Sequence, residues 1–366
     1  MLGFASTVMA SWEVLLVLFK LILVDGGTPN LFWGWLSAIG WQVYLAGVCF
    51  MVGGLIQALV ALNNESYVPE RWHQTLFTIA VVLSSAVFNK VLAVKLPLIE
   101  GIFLGLHLCG VFIVVIPLWV MAPRIPVDTA LFNYTNVGGW DTKGLAALIG
   151  MVTPLNVLIG YDCTVHMAEE LHDASITLPK VIMWSVAPNA CLGLLVILTL
   201  AFCSGNIEEV LQTRTGEPFV QIFYNATGSK AASSVMVAIV MILLISCCFS
   251  EGATASRQLW SFARDKGTAW LEHPCPRCGR IIRGRTTPLA NNIGSTTALR
   301  SISSLGAVAI LGSYLVTIGT LIWRRLFGAP LPSRRWSLGR YGLAINITAV
   351  CVDSTSVTVS MNRLEN

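Results

Sequence analysis

Gly160-Tyr-Asp-Cys-Thr-Val-His-Met-Ala-Glu-Glu-Leu-His172 is the stretch on which the fold turns. It continues an apolar run that begins near Gly144, and Asp162, His166, Glu169 and Glu170 enter that run at helical spacing. The run is long enough to cross a bilayer, and an ionisable group at membrane depth is costly enough to mark a functional site or pathway. Read as one α-helix, 144–172 extends about 43 Å at about 1.5 Å per residue. Its middle falls at Asn156–Gly160, beside Pro154. Proline removes a backbone donor and glycine loosens the helix, so a break is expected there. Broken backbone at that depth is tolerated only where it lines a cavity or a binding site. On an α-helix the pairs Asp162/His166 and His166/Glu170 are i,i+4 and His166/Glu169 is i,i+3, so one shared face is expected. For Glu169, Glu170 and His172 the alternative is a solvated helix end.

The rest of the chain has the same character. Of 366 residues, 55% are hydrophobic and 11% charged, with a mean hydropathy of +0.72. Soluble domains carry about a quarter charged residues. Apolar stretches of spanning length occur at roughly 1–24, 36–62, 75–94, 98–122, 144–167, 181–205, 232–250 and 302–323. Every confident element is a helix, and without a low-complexity linker the chain reads as a single all-α polytopic membrane domain. Met1 opens into apolar sequence without a basic n-region, so no cleavable signal peptide is expected. Ten cysteines make no disulfide framework, since most lie inside spans as small hydrophobes. A net charge of +4 is no nucleic-acid signature.

Lys and Arg gather in cytoplasmic loops. If the eight stretches simply alternate, the basic residues divide equally between the faces and no orientation follows. If one span is absent between Gly267 and Arg300, the tail changes sides and the division becomes 17 against 5. Glycosylation sequons at Asn64, Asn133 and Asn225 then all fall on the basic-poor, outward side. The suspect region, Leu271 to Pro288, is polar, basic and punctuated by Pro and Gly. Residues 342–352 begin like a span, stop after eleven residues and give way to a polar Ser/Thr-rich tail. In the outward loop 206–231, the portion 219–224 is expected at the membrane interface. Residues 251–267 read as a cytoplasmic extension of the preceding span.

Other candidates are weaker. His166-x-x-Glu169-x-x-His172 matches neither zinc-protease pattern, and Cys275-x-x-Cys278 beside His273 lacks a second pair, so no metal site is expected. In the first span Ser6, Thr7, Ser11, Trp12, Glu13 and Lys20 form either a polar, unwound patch or ordinary hydroxyl packing. Trp41-Gln42 is either a substrate contact or an interfacial anchor. No motif sets a nucleophile beside a base, so an enzyme is the weakest reading.

Several longer stretches resemble the fungal amino acid/choline permeases of the amino acid–polyamine–organocation superfamily. They are LGFASTVMASWE (2–13), GWQVYLAGV (40–48), YVPERWHQTL (67–76), KLPLIEG (95–101), IGYDCTVHMAEEL (159–171), PFVQIFYNATGSKA (218–231), ASRQLWSFARDKG (255–267), NNIGSTTA (291–298) and LGRYGLAIN (338–346). The resemblance implies twelve spans in a five-plus-five inverted repeat, with spans one and six unwound at mid-membrane around the substrate. Carried onto this sequence, those breaks fall at Ala10, Ser11 and Trp12 and at Ile159, Gly160, Tyr161 and Asp162. It implies transport of amino acids, γ-aminobutyrate, choline or related amines by alternating access, often driven by protons and without a cofactor. Asp162 would pair with a cationic group, Tyr161 and Trp12 would offer aromatic faces, and His166, Glu169 and Glu170 would form the cytosolic gate. The plasma membrane is the expected location, with the vacuolar membrane as the alternative. Against the family pattern, the second span is skipped between Trp33 and Trp41, residues 268–290 replace most of the ninth, the eleventh is a stub and the twelfth is absent. About eight of twelve spans remain, which argues against full activity. The rival reading is a non-transporting partner or regulator of a full-length permease.

Overall fold

The computed structural model describes residues 30–132, 141–144, 146–147, 150, 160–264, 296–328 and 339–365. Ser11, Trp12 and the rest of the first span, Asn133 and the Cys275–Cys278 pair lie outside them. Among the described residues the chain is helical, with no strand. We label the helices α1 (Asn30–Asn63), α2 (Arg71–Val91), α3 (Leu96–Met121), α4 (Ala174–Cys203), α5 (Ile207–Leu211), α6 (Pro218–Thr227), α7 (Lys230–Arg264), α8 (Thr296–Phe327) and α9 (Gly342–Glu365). A 3-10 helix, Tyr161–Glu170, precedes α4. Spanning length and apolarity are met in α1 to α4 and in α7.

The bundle is organised around α1. Its sequence is apolar on every side, which suits a helix enclosed by others. Trp41, Leu45, Cys49 and Val52 are buried there, and α2, α7 and α8 pack around it. Close approach depends on glycine. A methyl added at Gly53 would overlap Thr78 Oγ1 and stand 3.0 Å from the Gln74 carbonyl oxygen, and one at Gly40 would stand 2.8 Å from Ile310 Cγ1. Small residues at membrane helix crossings serve this purpose, because lipid gives no hydrophobic drive for helices to associate. By contrast α3 and α4 expose Leu98, Ile102, Leu104, Val181, Met183 and Trp184, as lipid-facing helices do.

Polar contacts fix the directions of the helices. Gln42 Nε2 donates to the Ala255 carbonyl at 3.1 Å, and Gln258 Nε2 donates to Ser37 Oγ at 3.2 Å. Gly40 meets Ile310, and Gly306 meets Tyr44. Residue numbers therefore rise along α7 and along α8 as they fall along α1. Both helices are antiparallel to α1, so their C-terminal ends, with Arg264 and with Arg324–Arg325, lie on one face. That is the arrangement in which the basic residues divide unequally.

The opposite end is held by polar side chains. Asn63 Nδ2 donates to Ser234 Oγ at 2.8 Å, and Lys230 Nζ pairs with Glu65 Oε1 at 2.6 Å. The Arg214 guanidinium donates to the carbonyl oxygens of Glu65 and Tyr67. Lys230 lowers the pKa of the exposed Glu65 carboxyl by hydrogen bonding and charge. Asn64 and Asn225 both lie exposed at this end.

Two expectations are overturned. Residues 342–365 form one helix, not an eleven-residue stub with a polar tail. Its hydroxyls donate one turn back, Thr348 to the Ala344 carbonyl, Ser354 to Val350, Thr355 to Cys351 and Thr358 to Ser354. A serine or threonine satisfied in this way adds little polarity to a helix surface. Residues 219–224 lie in α6, whose Val220, Ile222 and Phe223 pack into a core with Leu118, Cys203 and Val237. Trp41 is no interfacial anchor either. It is 1% exposed and sets its ring edge-to-face against Tyr44.

Glu217, at the start of α6, directs its carboxyl toward Gly54, where a side-chain methyl would stand 3.3 Å from Oε1. Burial raises its pKa. The folded state therefore holds this proton more tightly than the unfolded one, and stability falls as pH rises from the ordinary value to the raised one. Above that window the loss is constant. Glu217→Gln should raise the melting temperature at about pH 7 and change it little at about pH 4, where the carboxyl is protonated in both states. Thermal melts of the solubilised protein across that range measure the difference. An equal gain at both ends would exclude the carboxyl charge as the cause.

Candidate functional site

An interruption is expected at Asn156–Gly160 beside Pro154; residues 151–159 lie outside the described set, and Gly160 is the first residue described after them. Gly160 has φ +109°, in the left-handed region, and a methyl added there would meet nothing within 4 Å. Glycine is therefore required by backbone conformation and not by crowding. The Cys163 amide donates to the Gly160 carbonyl at 3.1 Å and opens the ten-residue 3-10 helix Tyr161–Glu170. Runs of 3-10 helix longer than three or four residues are uncommon and mark strained or hinge-like sequence. Asp173 follows at φ 53°, and α4 starts at Ala174.

This geometry corrects the shared face. A 3-10 turn takes three residues, so side chains at i and i+3 eclipse. Positions 163, 166 and 169 form one row, 162, 165 and 168 a second, and 161, 164, 167 and 170 a third. His166 and Glu169 remain in register. Asp162 and Glu170 fall in separate rows. The side chains of Asp162, His166, Glu169 and Glu170 lie outside the described set, whereas Tyr161 is placed with its ring 5.5 Å from Tyr314 of α8. The segment also packs on α7 and α4, and Cys163 rests against the core that holds Trp41, Cys49 and Cys248. A positive-φ glycine, a non-α segment and an aromatic pair thus stand between helices of membrane length.

The sequence model of the amino acid permease family matches residues 26–352. The chain belongs to the amino acid permease family. A "Putative amino acid/polyamine transporter" of Macrophomina phaseolina is 24% identical, aligned over 95% of this chain and 90% of its own length. An uncharacterized amino-acid permease of Schizosaccharomyces pombe is 26% identical over 87% of this chain and 61% of its own. The choline transporter of Saccharomyces cerevisiae is 24% identical over 82% of this chain and 55% of its own. The permease therefore spans nearly all of the first relative and about three-fifths of the other two. Its family and its apolar helices make it an integral membrane protein.

One residue of this permease escaped the sequence reading. Glu251 opens the stretch expected as a cytoplasmic extension of the span, yet it is 8% exposed and the run Glu251–Ala255 is buried. The Cys247 thiol donates to Glu251 Oε1 at 3.3 Å. α7 does continue to Arg264, as the extension requires, but the seam against α1 extends past Glu251 to Gln258. The signal available in the sequence was Gly252-Ala-Thr-Ala255, a run of small residues that permits such close packing.

Proposed function

We propose that this permease carries a small amine or amino acid across the membrane by alternating access, with the substrate held at Gly160–Asp162. The observation that carries the reading is the positive-φ Gly160 opening a 3-10 segment between membrane-length helices. Such breaks free backbone N–H and C=O groups to meet a carboxylate or a cation. Tyr161 and Trp12 supply aromatic faces, Ser11 a hydroxyl, Asp162 a counter-charge for an ammonium group, and His166, Glu169 and Glu170 the cytosolic gate. The names of the relatives favour amino acids, polyamines or choline. Proton coupling without a cofactor and residence in the plasma membrane complete the reading.

The test is uptake by the purified chain in liposomes, with labelled choline, γ-aminobutyrate and a neutral amino acid. Saturable uptake of at least one, increased by an inward proton gradient, supports transport. A chain that takes up none of them but co-purifies with a full-length permease is a partner or regulator.

A further inference from the structure

The face of α8 that meets α1 is a stripe at four-residue intervals. Gly306 rests against Tyr44, where an added methyl would stand 3.5 Å from the Tyr44 amide nitrogen, and Ile310, which is 1% exposed, meets Gly40. Residues i and i+4 of an α-helix share a face, so Tyr314 continues the stripe by one turn. A glycine at each of the two contacts lets the backbones approach closely. Ala309, Ile310 and Leu311 are all buried, so α8 is held in this rotation where it reaches Tyr314.

There α8 meets the 3-10 segment. The Tyr161 and Tyr314 rings stand 5.5 Å apart between centroids, at an angle of 35°. That separation lies in the range over which aromatic pairs attract. Tyr161 directly follows the positive-φ Gly160, and two residues later Cys163 packs against the core that holds Trp41 and Cys49. Tyr161 remains 37% exposed, while Tyr314 is half-buried. The ring pair thus joins a helix locked onto α1 to the segment that opens at Gly160.

The chemistry of the ring narrows the ligand. A phenol face attracts a cation through its quadrupole. A primary ammonium group also donates hydrogen bonds, which backbone carbonyls or a carboxylate can accept. A quaternary ammonium group has no N–H, so ring faces and opposite charge are what recognise it. Ring orientation therefore matters most for a quaternary substrate, and a ring held in place before binding has less freedom to lose.

We propose that Tyr314 is a specificity-determining residue, which positions the Tyr161 ring to receive a quaternary ammonium group. It acts through Tyr161 as a positioning residue. This rests on the transport reading and names the substrate class of that site.

The test is uptake by the full chain in liposomes, with choline and γ-aminobutyrate measured in parallel. Tyr314→Leu should raise KM for choline about 2- to 30-fold, the range of one cation–π contact, and change KM for γ-aminobutyrate by less than about twofold. The kcat for choline should stay near the wild-type value. Tyr314→Phe keeps the ring and should restore the wild-type KM for choline, whereas damage to the fold would lower kcat for both substrates. Equal changes for the two substrates, no change for choline, or a phenylalanine variant that behaves like the leucine one each overturn the proposal. Should Tyr314→Leu fail to elute as a folded monodisperse peak, Tyr314→Met takes its place with the same expectations, because a flexible thioether side chain fills irregular space. A wild-type chain that takes up γ-aminobutyrate but not choline overturns the proposal and leaves the transport reading standing. A wild-type chain that takes up neither sinks both.

Discussion

Gly53→Ala is expected to destabilise the bundle by about 1–3 kcal/mol, the usual cost of forcing extra volume into a well-packed interior. The new methyl overlaps Thr78 Oγ1, and it also stands 3.0 Å from the Gln74 carbonyl oxygen and from the Thr78 amide nitrogen. A side chain alone could turn away. Thr78, however, is fully buried and its hydroxyl donates to the Gln74 carbonyl at 2.7 Å. The two backbone atoms are fixed by α2 itself, so the helices must separate. Separation along the whole crossing would loosen Val52, Val81 and Val82, which are buried in the same core. The midpoint of thermal unfolding in detergent, followed by loss of the monodisperse elution peak, measures the effect. Gly53→Ala combined with Thr78→Ala should recover only part of it, because the backbone approach persists. Full recovery would show that the hydroxyl alone was responsible. Alanine at Gly101 or Gly105 on α3, where an added methyl meets nothing within 4 Å, should leave the midpoint unchanged and serves as the control.

The second large effect is expected on uptake. Asp162→Asn should abolish transport of a cationic substrate such as choline while leaving the amount of protein at the surface unchanged. Asparagine has nearly the same shape but lacks the charge that would pair with an ammonium group. Gly160→Ala should also abolish uptake, by a different route. At φ +109° alanine incurs steric strain of about 1–2 kcal/mol, so the turn opening the 3-10 segment would relax toward a helical conformation. The two variants separate charge from geometry. Loss in both supports a substrate site at the break. Normal uptake in Asp162→Asn removes that carboxyl from the site, and normal uptake in Gly160→Ala removes the backbone conformation. Radiolabelled uptake and surface biotinylation, run in parallel, provide both readouts.

Much of the membrane architecture was legible in the chain. Spanning helices announce themselves because the bilayer demands length and apolarity in one uninterrupted segment, and α2, α3, α4 and α7 overlap their expected stretches. The break at Gly160 was legible for a related reason. Proline and glycine in the middle of a span cannot both be helix formers, and the carboxylate two residues on cannot face lipid. The misreadings share a cause. α9 was cut short because hydropathy counts a hydroxyl as polar whether or not the carbonyl four residues back accepts its proton. The shared face of Asp162 and His166 assumed α-helical turns, and the segment takes three residues per turn.

The sequence by itself determined that this protein lives in a membrane, which of several segments are long and apolar enough to cross it, and which family it resembles. Those are properties of local composition and of the chain's own backbone chemistry. Only the tertiary structure decided that α1 is the enclosed centre, that α7 and α8 run the same way beside it, and that Glu251 is buried in their midst. Burial belongs to a residue's neighbours. The neighbours of Glu251 are set by the crossing of helices about two hundred residues apart in sequence, as where Gln42 of α1 meets the Ala255 carbonyl of α7.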